Sequence, residues 1–549
     1  MVENTLKFRS GYQVKIELAD NPSKIHYQVI DPSGELYYSA LAGIPASLSN
    51  RSEVMKNITV AIRNKKELPD TKRKLQHIVS SLQNELEMKK VEEQQKHDFE
   101  IRKKVHDAEK ILKEIENPFI YIGTIIDWLT AGERINVLLC FTAGCSQIIL
   151  KKPISVIGYG ESASGKTLVQ QVALSFFLED HIVNEKQVSA AALFNRSKTD
   201  EYFYDGKIVC YGDMGGEKDK ENQQESFDLM KELQSDGELS KPVSVKEDNS
   251  WETVDLKLKG KPCVWYTTVP QEIDSQELSR AILFTPRTDN QQIFNKRGKA
   301  LSFKRGKTYS KFEKVKELAE TIPYMVEHLR KELEDCIIIN PFFDVVSNML
   351  EGSRYYKRDT EKYVNLLETI TALNYYHREH YIFEDGVKGV ITSFEDVNIL
   401  LSLLEPYKTS IANNIKPKSA EIYKKLISKG QVENTFADDL KYAGEEFEEG
   451  FTTRMYFEKS GTDLSLKSIQ RYFSDLYQAG LLKLVNRDKN ANVYDVIKTN
   501  LHDEFKNYEI DFDLIEYELG SDIAEIIRND VPLEKDINEN DEDIGGVPW

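Results

Sequence analysis

Cysteine is scarce in this chain of 549 residues: Cys140, Cys145, Cys210, Cys263 and Cys336 are the only five, and no two form a CxxC pair. That excludes a disulfide framework and a zinc ribbon, and it predicts a reducing, cytoplasmic setting. Long apolar runs are also missing. None reaches the ~18 residues a membrane span requires, and the opening MVENTLKFRSG lacks the apolar region of a signal peptide, so no membrane partner is expected. Basic charge is in deficit, with a net charge of −18, but the deficit is local. Residues 501–549 carry 16 acidic and 3 basic side chains, which leaves the rest of the chain near −5. The total therefore does not exclude nucleic acid, because the acidity is mostly a C-terminal tail.

The length calls for several structural units. Residues 1–48 alternate polar and apolar side chains around the Asp31-Pro-Ser-Gly34 turn and predict a small β unit. Residues 49–117 are charged and helical in period. Leu75, Ile78, Leu82 and Leu86 form one stripe, and Ile101, Val105, Ala108, Leu112 and Ile115 form another. One long arm and a helical hairpin both fit, either as a spacer or as an oligomerising coiled coil. From residue 118 to 345, short β-rich runs alternate with helical patterns. The runs are Ile154–Ile157, Ile208–Tyr211, Val243–Val245, Val254–Leu258 and Cys263–Thr267, and they predict an α/β sheet. Residues 346–410 read as helical, with a long helix over Arg354–Arg378, and 411–500 as a helix-rich unit ending in a hairpin.

One motif carries chemistry. Gly160-Glu161-Ser162-Ala163-Ser164-Gly165-Lys166-Thr167 fits GxxxxGK[ST] after a strand-like run and before a helix expected over Leu168–Leu178. Glycines let backbone amides curl around phosphate, Lys166 reaches the β- and γ-phosphates, and Thr167 ligates Mg²⁺. ATP with Mg²⁺ is the expected cofactor. Asp213, ending Ile208–Asp213, is the expected strand-end acid that binds Mg²⁺ or orients the attacking water. It stands alone, since the next carboxylate is Glu217.

Phosphate loop, acid strand, Leu233–Leu239, hairpin, Trp265-Tyr-Thr-Thr268 and Glu277-xx-Arg280 together resemble AAA+ ATPases of bacterial mobile elements and phages. Their core is similar to minichromosome-maintenance helicases. The resemblance covers roughly residues 118–405 and implies a P-loop AAA+ core with a helical lid. It implies Thr268 as first sensor, Arg280 as an arginine finger acting on a neighbouring subunit, and Arg358 as the lid's sensor arginine. It also implies a pore hairpin on which Lys246 meets a DNA backbone, although a solvated lysine fits equally there. The family's zinc-binding primase module and its second strand-end acid are both absent. Residues 411–500 resemble a winged helix, with a recognition helix over Leu464–Phe473 and a basic wing. Lys467, Arg471, Arg487 and Lys489 would contact DNA, unless the unit docks protein instead. The expectation is an ATP-dependent DNA helicase forming a homo-oligomeric ring, with six subunits the expected number. The alternative is a non-helicase AAA+ switch, either a defence or regulatory ATPase or an initiator or loader. The tail, ending Gly545-Gly-Val-Pro-Trp549, is expected either to dock a primase, polymerase or single-strand-binding protein or to mimic DNA charge.

Overall fold

The computed structural model describes residues 5–18, 24–43, 53–62, 68–160, 163–185, 189–214, 220–247, 250–268, 280–287, 290–350, 356–407, 415–428, 435–442, 450–462, 464–488, 491–497 and 510–531. It divides into two compact units, residues 1–103 and 104–549. Among the described residues no helix is long and apolar enough to cross a membrane.

In the first unit, strands β1 (Thr5–Lys7), β2 (Gln13–Leu18), β3 (Lys24–Ile30) and β4 (Leu36–Gly43) form an antiparallel meander in chain order. Alternation sends Val14, Ile16, Tyr27 and Val29 to one face. Helix α1 (Glu53–Ile62) covers that face with Met55 and Ile58, and Leu75 and Ile78 of helix α2 complete the core. Helix α2 is continuous from Leu68 to Glu114, so the polar stretch Lys89–Lys96 does not break it into a hairpin.

The second unit begins within α2, whose Ala108 and Leu112 are buried there. Asn117 caps helix α3 (Pro118–Leu129), its side chain accepting from the Ile120 amide at 3.0 Å with Pro118 at the first helical position. Helix α4 (Arg134–Leu150) is apolar around its whole circumference and buried almost throughout. Gly144 lets it approach Phe177, since a Cβ there would lie 2.4 Å from that ring. Strand β5 (Ser155–Tyr159), helix α5 (Lys166–Leu174), strand β6 (Ile182–Asn184), helix α6 (Ala190–Ser197), strand β7 (Ile208–Asp213) and helix α7 (Lys220–Asp236) follow. Strands β8 (Glu238–Glu247) and β9 (Ser250–Lys259) pair with each other and, among the described residues, with no other strand, whereas β10 (Cys263–Thr268) and β11 (Ala281–Phe284) return to the sheet.

The sheet is parallel, with order β11-β5-β10-β7-β6. Val156, Ile208, Cys210, Cys263 and Trp265 face the core built around α4, while Ile157, Val209, Tyr211, Val264 and Tyr266 face a second core with Phe227 and Met230 of α7. Burial on both faces accounts for the near-continuous apolar strands. The runs Val243–Val245 and Val254–Leu258 lie outside this sheet, as arms of the separate β8–β9 ribbon, where the resemblance implied a hairpin.

Helices α8 (Gln291–Leu301), α9 (Lys307–Ala319) and α10 (Ile322–Glu332) lead to strand β12 (Cys336–Ile339) and helix α11 (Phe343–Met349). Helix α12 (Tyr356–Leu373) is shorter than the expected Arg354–Arg378 span, and Arg354 lies outside the described residues. Strands β13 (His380–Ile382) and β14 (Lys388–Ile391) join β12 in a small sheet, in a stretch expected to be mostly helical. Helix α13 (Phe394–Leu404) follows. Inside this region Asp396 is fully buried and takes two hydrogen bonds from Arg378 (2.6 and 2.9 Å), with Asn374 and Thr371 donating to its remaining capacity. A buried ion pair satisfied this fully tolerates its desolvation.

A C-terminal group comprises helices α14 (Pro417–Ile427), α15 (Phe436–Tyr442), α16 (Thr453–Ser460) and α17 (Leu466–Gln478), with strands β15 (Phe451–Thr452), β16 (Leu482–Asp488) and β17 (Ala491–Val496) ordered β15-β17-β16. The helix expected over Leu464–Phe473 starts two residues later and runs five further, with Ser465 as its cap. The acidic tail is also corrected. Helices α18 (Phe512–Leu519) and α19 (Ser521–Asp530) bury Ile515, Ile523, Ala524 and Ile527 in the main core, and Asp530 accepts from the Phe394 amide at 2.6 Å. An apolar residue every third or fourth position makes this stretch a helical pair despite its acidity. Residues 532–549, including Val547–Trp549, lie outside the described residues.

Glu327 on α10 supplies a pH-dependent test. It accepts two hydrogen bonds of 2.8 Å from Arg330 and lies 3.1 Å from the His181 ring. Burial pushes its carboxyl up, but these hydrogen bonds outweigh burial and bring it from 4.5 to about 2. A depressed carboxyl stabilises the fold fully above the unfolded value and loses that contribution as pH falls through the folded one. Glu327→Gln should therefore lower the urea midpoint at pH 7, and the gap from wild type should narrow below about pH 4.5. A gap that stays constant from pH 7 to pH 3 contradicts this.

Candidate nucleotide site

Strand β5 runs into the phosphate loop at its C-terminal end, with Gly160 at φ +154°, Ala163 at +63° and Gly165 at +100°. Positive φ at these points turns successive amides inward, the form of an anion-binding nest, and Gly165 caps helix α5 in the left-handed conformation. Ala163 is the exception: a side chain held at φ +63° stores strain of about 1–2 kcal/mol. Glu161 and Ser162 lie outside the described residues. Lys166 is buried, and its ammonium donates to the Gly160 carbonyl at 2.7 Å, folding back over the loop. Ser164 Oγ is buried and has no hydrogen-bond partner among the described residues. The loop thus offers amides, an ammonium and a hydroxyl to an incoming oxyanion. Thr167 is exposed at the start of α5.

Register fixes the other candidates. Thr268 pairs with Tyr159, and Thr267 pairs with Gly158 on one side and Asp213 on the other. Tyr159, Thr268 and Asp213 therefore end adjacent strands on one edge. Two strand spacings, about 10 Å, separate the phosphate-loop strand from the acid strand. Thr267 and Thr268 are buried, whereas Asp213 is exposed. Among the described residues there is no cluster of three or more His, Cys, Asp or Glu able to hold a metal. A Mg²⁺ would thus take Thr167 and Asp213 with phosphate oxygens and water, a donor set of hard oxygens that suits it.

Arg280 lies elsewhere. It precedes β11, and Ala281 pairs with Ser155, so the arginine is at the strand-start edge. That is four residues from Tyr159 along β5, about 13 Å from the loop edge. It borders a cavity of about 300 Å³ with Asp228, Lys231 and Glu232. Arg358 is exposed on α12. Lys246 pairs with Trp251 in the β8–β9 ribbon, but its side chain is outside the described residues, as are the Arg487 side chain and all of Lys489. Lys467 and Arg471 lie on the exposed face of α17.

Two features of the site were not legible in advance. After β11, Pro286 approaches the loop so closely that a Cβ at Gly160 or Gly165 would meet its ring at 3.8 or 3.9 Å. Glu133 holds that segment, accepting from the Arg287 amide at 2.9 Å and from Asn290 at 3.1 Å, while Asn136 donates to its other oxygen at 2.6 Å. Burial pushes the Glu133 carboxyl up, and the Asn136 hydrogen bond works against it. Tyr407 closes this network through Asn136. Second, Tyr159 is buried in the core of the C-terminal group rather than in that of the sheet. It packs with Tyr423 and Phe473, Lys416 lies over its ring at 5.6 Å, and its hydroxyl hydrogen-bonds with Tyr472. Burial, foremost, pushes the Tyr159 phenol up. Helix α17 therefore reaches the residue next to the phosphate loop.

Comparison with known proteins agrees with the geometry over part of the chain. A family model described as the MTBMA_p00010 P-loop domain matches residues 105–297. A search of curated proteins returns no match. Among solved structures, JCV helicase bound to N-(4-(2-(thiazolo[5,4-c]pyridin-2-yl)phenoxy)phenyl)acetamide is 15% identical over 46% of this chain and 68% of that one, with a TM-score of 0.21. A second JCV helicase structure is 14% identical over 56% of this chain and 76% of that one, with a TM-score of 0.18. Scores this low carry no argument about fold or activity. The chain has a mixed α/β fold with a parallel sheet and a P-loop domain.

Tyr472→Phe removes only the hydroxyl that meets Tyr159. It should cost about 1 kcal/mol of stability and increase amide hydrogen exchange in α17 and at the end of β5 together. Exchange that rises in α17 alone contradicts the link.

Proposed function

We propose that this chain is an ATPase of the AAA+ helicase type that assembles into a ring, with six subunits, and acts on DNA in the replication of a mobile element or phage. The observation that carries the reading is the convergence of the phosphate loop, Thr268 and Asp213 on one edge of a sheet whose central strand separates loop from acid. In this reading Gly160–Thr167 bind the triphosphate, with Lys166 leaving the Gly160 carbonyl for the γ-phosphate. Thr167 would hold Mg²⁺, which would screen the phosphate charge, and Asp213 would be either a second ligand or the group that orients the attacking water. Thr268 senses the γ-phosphate from the intervening strand. Arg280 is too far along the strands to serve its own loop, which supports its action on a neighbouring subunit's nucleotide. Arg358 takes the part of the lid's sensor.

DNA would pass the β8–β9 ribbon with Lys246, while a winged-helix-like C-terminal group presents Lys467, Arg471, Arg487 and Lys489 to duplex. The tail would engage a primase, polymerase or single-strand-binding protein. A second reading, an AAA+ switch that uses ATP to control assembly, gains support from the Tyr159–Tyr472 contact, which joins the C-terminal group to the residue that precedes the loop.

Lys166→Ala should abolish ATP turnover, because no other basic residue lies between Gly158 and Thr167. Undiminished hydrolysis in the purified variant overturns the assignment. Arg280→Ala should keep nucleotide affinity and lose turnover by about a thousandfold or more, and mixing it with Lys166→Ala protein should restore part of the rate at hybrid interfaces. Two inactive variants that never complement each other count against the ring.

A further inference from the structure

Residues 291–316 depart from the rest of this acidic chain, with nine basic side chains and one acidic. They form α8, a tight turn closed by the Gly306 amide on the Phe303 carbonyl (2.7 Å), and most of α9. Neither helix has a fully buried residue. Two of the cations are engaged. Arg297 donates to the Asp127 carbonyl at 2.9 Å, tying α8 to α3, and Lys316 lies 3.3 Å from Glu313. The other seven, Lys296, Lys299, Lys304, Arg305, Lys307, Lys311 and Lys314, are exposed and have no carboxylate partner among the described residues. Lys307, Lys311 and Lys314 recur at helical spacing and make one stripe along α9. Lys304, Arg305 and Lys307 crowd the N-terminus of α9, where the helix dipole repels cations. Among the described residues no carboxylate offsets that arrangement.

Apolar rings stand among these charges. Phe303 on the turn is 63% exposed, Phe294 on α8 is 61% exposed and Ile293 is 46% exposed. Tyr309 lies under Lys304 at 5.1 Å. Unpaired cations with exposed aromatic faces between them suit a flexible polyanion whose units present flat rings. Phosphates meet the ammonium groups while unpaired bases stack on the phenylalanines. A duplex offers no free base faces, and an acidic peptide carries rings only at its few aromatic residues, whereas every nucleotide of a single strand presents one. From this chemistry we propose that the α8–α9 hairpin is a binding surface for single-stranded nucleic acid, separate from the phosphate loop, the β8–β9 ribbon and α17. The proposal goes beyond the ATPase reading and does not depend on it, because the binding needs no nucleotide.

The experiment uses the full chain and a labelled 20-nucleotide oligothymidylate, followed by fluorescence anisotropy without ATP across a salt series. Lys307→Gln, Lys311→Gln and Lys314→Gln together should weaken binding roughly tenfold or more and make the slope of log affinity against log salt shallower by about 2, since each single-strand phosphate contact contributes about 0.7. Phe294→Ala with Phe303→Ala should weaken binding roughly tenfold and leave the slope unchanged. Both variants lie far from the core and should keep the wild-type circular dichroism. Wild-type affinity and slope in the lysine variant overturn the proposal. It is equally overturned if a synthetic peptide of residues 532–549 binds the full chain through these lysines while oligothymidylate binding ignores them. In that case the surface serves the chain's own acidic end.

Discussion

Five residues of β5 have to satisfy three cores. Val156 points into the helical core around α4, Ile157 into the core of α7, and Tyr159 into the C-terminal group. A strand's alternation supplies the first two directions at no cost. The third arises at the strand's last residue, one beyond its register with β11, where a large amphipathic ring can reach the C-terminal group while its hydroxyl finds Tyr472. The phosphate loop begins at the next residue, so its position is set by three packings at once. Pro286 and the Glu133 network fix it from β11.

That arrangement explains why the proposed chemistry is divided between sheet edges. In a parallel sheet all C-terminal ends lie on one side, so loop, sensor and acid gather there, while any residue preceding a strand is carried to the other side. Arg280 precedes β11, and the sheet itself keeps it about 13 Å from its own loop edge. The proposed reading therefore assigns this arginine to the nucleotide of another copy of the chain. The single strand-end acid Asp213 is exposed at the end of β7, on the same edge as the loop.

Much of the phosphate site was legible because its motif is contiguous: Gly160 to Thr167 needs fixed residue types at fixed offsets, and the flanking strand and helix have strong local patterns. The α/β sheet was legible through its short apolar runs, although a short apolar run alone does not tell a sheet strand from an arm of the β8–β9 ribbon. Glu133, Asn136 and Tyr407 were not legible. Asn136 and Tyr407 are 271 residues apart, and only tertiary packing joins them. The same holds for Tyr159, which in sequence is simply the last residue of a buried strand. Acidity misled at α18 and α19, where charge obscured an apolar stripe that folding uses. The α8–α9 hairpin is hidden in the sequence for the converse reason: a sum over the whole chain masks a local excess of cations.

The central claim is that ATP is hydrolysed where one subunit's loop meets its neighbour's arginine. ATP turnover per subunit, measured across a protein concentration series that spans assembly and followed in parallel by sedimentation, tests it most directly. The account predicts a low rate from dissociated chains that rises with the assembled fraction and then levels off. A per-subunit rate that is the same in dissociated and assembled protein would contradict it.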